Sequence, residues 1–207
     1  MNFLSKSSND DDIWISAADM MAGLMMIFLF IAVIYIQDLS KYFDEVSDKR
    51  DEICGDLLSE FSQDIERWNM TICEGGLLIR FESDSSFESA SSSLSPSFRA
   101  LLDNFMPRLM EVIWDYKESI SELRIEGHTD SNVRGVDTKL SGYIYNTKLS
   151  QDRSRNVMSY ALNIPSIASN SDYLDWSFSN MTAHGMSSSD LIKAAMPNFM
   201  INLAELN

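Results

Sequence analysis

The sequence predicts an α+β fold in three parts: a single N-terminal transmembrane helix, an amphipathic helical linker and a mixed α/β domain. An apolar run long enough to cross a bilayer lies near the N terminus, and the residues after it repeat apolar positions at helical spacing. From residue 75 onward short alternating segments replace that pattern. The predicted parts are a short head over 1–12, the transmembrane helix over 13–36, the linker over 37–74 and the mixed domain over 75–207.

The apolar run at 13–36 contains one charged residue, Asp19. At 1.5 Å per residue it forms a helix of roughly 36 Å, and a hydrocarbon core is about 30 Å thick. A cleaved signal peptide requires a basic head, a shorter apolar stretch and a small-residue cleavage site. The head MNFLSKSSNDDD instead carries one lysine and three aspartates. The run is therefore interpreted as an uncleaved membrane anchor.

Basic residues around the span give a weak signal about its orientation. Lys6 precedes the span, whereas Lys41, Lys49 and Arg50 follow it. Taken alone, the positive-inside rule favours a cytoplasmic C-terminal side.

Asp19 within the span has two interpretations. An ionised carboxylate inside a bilayer costs about 2.5–3.5 kcal/mol on insertion scales, so such residues indicate an ion pathway or a counter-ion. Alternatively, Asp19 lies near the end of the span and reaches the interface, because residues 20–36 alone form about 25 Å of helix.

The linker is predicted to be one amphipathic helix or a pair of helices. Its apolar positions are Leu39, Tyr42, Phe43, Val46, Ile53, Leu57, Leu58, Phe61, Ile65 and Trp68. Such a segment is a stalk, a helix packed on the following domain, or a helix that lies on the membrane or on a partner in a resting state. Cys54 and Cys73 form a disulfide in an oxidising compartment and are two ordinary thiols in the cytosol.

The third part alternates predicted strands and helices. LLIRF at 77–81 is a strand entered through Gly75 and Gly76, and a serine-rich loop follows it. Further strands are expected at 123–126 and from Trp176 to near His184 and Gly185, and helices at 97–118, 149–162 and 191–206. Within the helices, Pro107 is expected to kink or divide the first, and Ser150 is a predicted N-cap of the second.

A carboxylate and a hydroxyl follow the strand at 123–126, in the sequence Gly127-His128-Thr129-Asp130. The chain has two histidines and no zinc motif, so a metal site is not expected. It also lacks the G-x-S-x-G elbow of a serine hydrolase. The loop is suited to holding a cationic or polar ligand.

The stretch IEGHTDSN…NTKLSQDRSRNV resembles the signature of the OmpA/MotB-type peptidoglycan-binding family. The resemblance covers about residues 75–195, including Phe87-x-x-x-Ser91-x-x-Leu94 and AHGM at 183–186. The implied peptidoglycan-binding residues are His128, Thr129, Asp130, Asn146, Leu149, Ser150 and Arg153. The chain departs from the family at Ser154, where alanine is usual, and in the longer insert VRGVDTKLSGYIY.

By this resemblance, Asp130 would accept a hydrogen bond from the ammonium of diaminopimelate. Arg153 would donate two to its carboxylate, a geometry that favours guanidinium over lysine. Both residues bind rather than form an acid–base pair, so the chain is not expected to be an enzyme, and no cofactor is implied.

WISAADMMAGLMMIFLF resembles the transmembrane helix of MotB-type stator subunits, in which an aspartate after a tryptophan carries the translocated proton. The short length and the acidic head resemble the B subunits of the Zorya anti-phage defence system more than flagellar ones. The resemblance implies that Asp19 is the proton carrier.

The implied partners are peptidoglycan, protons and MotA-like (ZorA-type) multi-span channel subunits, as a pentamer around a dimer of this chain. The net charge of −15, from 31 acidic and 16 basic residues, argues against a direct nucleic-acid partner. The implied location is the bacterial inner membrane, with the N terminus cytoplasmic and the C-terminal domain periplasmic, against the charge bias around the span. The alternatives are a flagellar-type MotB stator subunit or a peptidoglycan tether without ion transport. Asp19 distinguishes a stator from a tether, because only ion transport requires a carboxylate in the span.

Overall fold

A computed structural model describes residues 7–81, 86–88, 91–129, 138–187 and 199–206. The chain divides into two units, Met1–Ser47 and Asp48–Asn207. The helices of the described residues are α1 (Ser7–Phe61), α2 (Ile65–Trp68), α3 (Pro96–Trp114), α4 (Lys139–Leu162), α5 (Pro165–Ala168) and α6 (Ser171–Asn180). The strands are β1 (Met70–Ile72), β2 (Leu78–Phe81), β3 (Ile120–His128), β4 (Met181–Ser187) and β5 (Phe199–Leu206).

The first unit consists of the N-terminal part of α1. Its apolar residues over 13–36 are all exposed, and this segment is long and apolar enough to cross a membrane. An apolar helix exposed on every side requires lipid or other subunits around it. The structure thus confirms the predicted N-terminal apolar helix.

The second unit begins within α1 and includes much of the segment that the sequence assigned to a linker. Ile53, Leu57 and Phe61 are fully buried in its hydrophobic core. A disulfide joins Cys54 in α1 to Cys73, just after β1. Residues 48–74 therefore belong to the compact unit, because their apolar face packs on the domain that follows. Residues 70–72 are a strand rather than part of a helix.

Arg108 of α3 ties the end of α1 to this unit. Its Nε donates to Glu60 Oε1 at 2.6 Å, and its Nη1 donates to Asp64 Oδ2 at 2.8 Å. The guanidinium carbon also lies 4.7 Å from the centroid of the Phe61 ring. Arg108 therefore fixes the end of α1, and the turn that follows it, against α3.

The five strands form one mixed sheet in the order β1-β2-β5-β3-β4. All neighbours pair antiparallel except β3 and β4, which are parallel. Apolar side chains at alternate positions, such as Ile79, Ile125 and Ile201, are buried in the core with residues of α1, α3 and α4. The intervening positions carry polar groups such as Arg80 and Arg124. The sheet is therefore covered by helices on one face and polar on the other.

The structure confirms the strands predicted at 77–81 and 123–126. Gly75 and Gly76, through which the first of them is entered, adopt φ angles of 83° and 144°. The strand predicted from Trp176 to near His184 and Gly185 begins too early, because residues 171–180 form helix α6. Asn170 caps this helix by accepting hydrogen bonds from the backbone N–H groups of Asp172 and Tyr173. The strand in this region, β4, begins only at Met181.

The helix predicted at 191–206 is also wrong where the structure describes the chain. Residues 199–206 form β5, which pairs with β2 on one side and β3 on the other. β3 pairs along the length of β5 and β2 pairs with residues 199–202, and this tertiary pairing outweighs the local helical pattern.

Two details of the predicted helices are corrected as well. Pro107 does not divide α3, which continues from Pro96 to Trp114 with buried residues on both sides of the proline. Ser150 is not an N-cap, because α4 begins eleven residues earlier, after Thr138. Thr138 and Ser141 form a capping box there through their side chains and backbone N–H groups.

Candidate functional site

Helix α4 brings most of the predicted wall-binding residues to the end of β3. His128 and Thr129 lie at the C-terminal end of this strand, and both are buried. Among the α4 residues, Asn146 and Ser150 are buried, whereas Leu149 and Arg153 are half-buried. Asp130 and the first part of the insert, residues 133–137, lie outside the described residues. The end of β3 and one face of α4 thus form the candidate site.

Glycines allow α4 to approach the sheet closely at this point. A Cβ atom on Gly127 would lie 2.3 Å from the backbone oxygen of Ser150, and one on Gly185 would lie 2.4 Å from the backbone nitrogen of Gln151. No side chain fits at these distances without a backbone shift. Ser154, where the family usually has alanine, is also fully buried. Small residues therefore set the position of the α4 residues relative to β3.

Replacing Gly127 with alanine is expected to destabilise the protein by about 1–3 kcal/mol, because the new methyl group overlaps backbone atoms of α4. Thermal denaturation followed by circular dichroism measures the change. The matched control is Gly55→Ala in α1, where no atom lies within 4 Å of the new Cβ. That variant should be neutral or more stable by up to about 1 kcal/mol. Equal melting temperatures for the two variants would contradict the close-packing argument.

Ser150 links α4 to β4. Its Oγ donates to the carbonyl of Thr147 at 3.0 Å and accepts from the backbone N–H of Ser187 at 3.0 Å. Thr129 continues this link, since its backbone N–H donates to the Ser187 carbonyl at 3.1 Å. Ser150 is fully buried, so its hydrogen bonds stabilise the site from the interior of the domain.

Arg153 is held on two sides by backbone carbonyls. Its Nη1 donates to the carbonyl of His128 at 3.1 Å, and its Nε donates to the carbonyl of Ser91 at 3.1 Å. The guanidinium carbon lies 4.7 Å from the centroid of the Phe87 ring. A cation held in this way at the end of a strand is suited to binding a carboxylate.

Sequence reasoning did not assign Phe87 and Ser91 to the site. Both belong to the segment that resembles the family after the first strand, and that resemblance was the only available signal. Phe87 and Leu94 form an isolated antiparallel bridge and are both buried. The side-chain amide of Asn156 on α4 donates to the Ser92 carbonyl at 2.9 Å. This segment therefore packs against α4 beside Arg153.

Glu126 lies beside His128 on the polar face of the sheet. His128 Nε2 lies 3.6 Å from Glu126 Oε2, and Asn202 Nδ2 donates to Glu126 Oε1 at 3.4 Å. Burial opposes ionisation of Glu126, but these two neighbours and the charge of Arg124 together hold the pKa of its carboxyl below the usual value. Glu126 is therefore an anion next to His128 of the predicted wall-binding motif.

Asp19, the other predicted functional residue, lies in the membrane-length part of α1 and is exposed. Every described side chain over 13–45 is exposed as well, so none of these residues covers the carboxylate. Among the described residues, no group of three or more His, Cys, Asp or Glu side chains is arranged to hold a metal ion.

No protein-family model matches the chain. Among solved structures, a MotB-like protein from Desulfovibrio vulgaris is 18% identical, with a TM-score of 0.52 over 78% of this chain and 95% of that one. The cell wall anchor of the type VI secretion system (T6SS) from Pseudomonas aeruginosa is 20% identical, with a TM-score of 0.47 over 72% and 97%. The fold defines a protein with a long N-terminal apolar helix and a MotB-like mixed α/β domain.

A sequence relative identifies the family within that class. The Zorya protein ZorB from Escherichia coli is 35% identical over 193 residues, which cover 89% of this chain and 81% of the relative. The chain therefore belongs to the ZorB family.

Proposed function

We propose that this protein is the B-type subunit of a proton-driven rotary membrane motor that acts in anti-phage defence. One observation carries the proposal: a single chain joins a membrane-length helix with one embedded carboxylate to a MotB-like domain with a fixed arginine at its candidate site. Membership of the ZorB family supports the defence role over a flagellar one. The chain acts in ion transport and anchoring rather than as an enzyme.

In this proposal residues 13–36 span the inner membrane, and Asp19 binds and releases the proton. The exposed surface of this helix supports burial among other subunits, because a lone helix would leave the carboxylate in lipid. Two copies of the chain inside a ring of MotA-like channel subunits, expected to be a pentamer, provide a polar path to Asp19. The ring of channel subunits is the moving part of the motor, and this chain is the part that is held fixed.

The domain that follows holds the motor to peptidoglycan. Arg153 binds a carboxylate of the stem peptide, and Asp130 binds the ammonium group. Co-sedimentation of the detergent-solubilised full chain with intact sacculi tests this function directly. A chain that stays in the supernatant at all sacculus concentrations would contradict it.

Anchoring to the wall requires the second unit to be periplasmic. The Cys54–Cys73 disulfide supports this orientation, because disulfides persist in oxidising compartments and are rare in the cytosol. The three basic residues after the span favour the opposite orientation. The disulfide outweighs this charge bias, because disulfide formation depends directly on the redox state of the compartment.

Labelling with a membrane-impermeant maleimide tests the orientation in intact spheroplasts. A Glu118→Cys variant should react, because Glu118 is exposed and the native cysteines are bonded to each other. A Ser5→Cys variant in the N-terminal head should react only after the membrane is permeabilised. The reverse pattern would place the second unit in the cytoplasm and exclude wall binding.

A further inference from the structure

Phe87 and Ser91 lie outside the wall-binding motif, and both restrict the orientation of the Arg153 guanidinium. The guanidinium has five N–H donors, and the carbonyls of Ser91 and His128 engage two of them from different elements. The Phe87 ring lies 4.7 Å from the guanidinium carbon, where cation–π attraction favours contact. A long arginine side chain would otherwise sample many rotamers.

The segment that contacts Arg153 is itself well fixed. The Phe87 side chain is 7% exposed, and its ring centroid lies 5.9 Å from that of Phe98 in α3. On the other side, the bond from Asn156 to the Ser92 carbonyl attaches the same segment to α4. Phe87 therefore contacts both the hydrophobic core and the guanidinium of Arg153. Because the ring is packed in the core, it restricts the positions that the guanidinium can adopt.

We propose that Phe87 is a positioning residue that determines which stem peptide this protein binds. Its ring, with the Ser91 carbonyl, holds Arg153 in one orientation toward the ligand. Diaminopimelate carries a second carboxylate at the end of its side chain, and lysine at the same place carries none. A guanidinium fixed in this way therefore selects diaminopimelate-type peptidoglycan. The inference rests on the proposed wall-binding function.

Binding to two soluble muropeptides tests the inference with the full chain in detergent. The probes are disaccharide tripeptides that end in diaminopimelate or in lysine, and the readout is the ratio of their dissociation constants. Wild type is expected to prefer the diaminopimelate form. Phe87→Leu should weaken binding of that form by roughly tenfold and leave the lysine form little changed, so the ratio falls.

Three further variants separate positioning from general damage. Phe87→Tyr keeps an aromatic face and should retain the wild-type ratio. Phe178→Leu makes the same phenylalanine-to-leucine change at an exposed position of α6 and should change neither dissociation constant. If Phe87→Leu does not fold, Phe87→Met takes its place in the binding assay, because methionine fills a similar volume without a ring face.

Each outcome has a distinct meaning. An unchanged ratio in Phe87→Leu or Phe87→Met, or an equal loss for both muropeptides, overturns the role of Phe87 and leaves wall binding intact. Wild-type binding without preference between the two forms overturns the selectivity and again leaves wall binding intact. A wild-type chain that binds neither muropeptide overturns both this inference and the proposed function.

Discussion

Asp19→Asn is expected to abolish phage protection in cells that carry the complete system, while the protein stays in the membrane at normal abundance. Asparagine keeps the size of the side chain but cannot take up and release a proton at neutral pH. Moving one charge across 100 mV delivers about 2.3 kcal/mol, and the variant loses this source of energy at the step that drives the ring. Plaque counts measure protection, and immunoblotting of membrane fractions measures abundance.

Asp38→Asn is the matched control for this experiment. Asp38 is exposed in the same helix, two residues beyond the apolar run, and the substitution removes the same charge. It should leave protection unchanged. Full protection by Asp19→Asn at normal abundance would exclude the ion-carrier role and favour the simple tether. Equal loss in both variants would indicate a general requirement for acidic residues in α1 rather than a proton site.

Local signals were sufficient to predict several parts of this structure. The span is a property of residues 13–36 alone, and β3 combines alternating polarity with a glycine at its end. The helix predicted at 149–162 contained Arg153, but it began too late to include Asn146, and α4 spans both residues. In each case nearby residues define the feature.

The errors concern elements that depend on distant parts of the chain. The segment at 199–206 is a strand because β2 and β3 lie on either side of it, and nothing in its own pattern reports those neighbours. For the linker, the sequence left open whether its apolar face forms a stalk or packs on the following domain. Ile53, Leu57 and Phe61 lie in the core of that domain, but an amphipathic pattern alone does not reveal what a helix packs against.

The candidate site shows the same division between local and distant information. The motif identified Arg153, but the groups that orient it come from a segment about sixty residues earlier. A carbonyl has no residue-specific signal, so the contact from Ser91 cannot be deduced from composition or spacing. The Phe87 contact depends on packing against α3. The sequence therefore singled out Arg153 as the expected binding residue but not the groups that fix its orientation.

Arg153→Ala is expected to weaken binding to diaminopimelate-type sacculi by roughly 10- to 100-fold. A hydrogen bond to a charged group contributes about 1.5–3 kcal/mol, and each 1.4 kcal/mol is about tenfold in affinity. The matched control is Arg155→Ala, which removes the same charge two residues away. Arg155 is 64% exposed and pairs with Asp152 at 3.0 Å, so its loss should change affinity less than twofold.

Co-sedimentation of the solubilised full chain over a range of sacculus concentrations gives both affinities, and thermal denaturation verifies that each variant is folded. Repeating the series at high salt separates the specific site from general charge attraction, because exposed charges are screened more than partly buried ones. The difference between Arg153→Ala and Arg155→Ala should therefore persist at high salt. Equal weakening by both variants would mean that net charge, rather than the end of β3, determines wall binding. Unchanged binding by Arg153→Ala would remove this arginine from the site, and with it the role of Phe87 and Ser91.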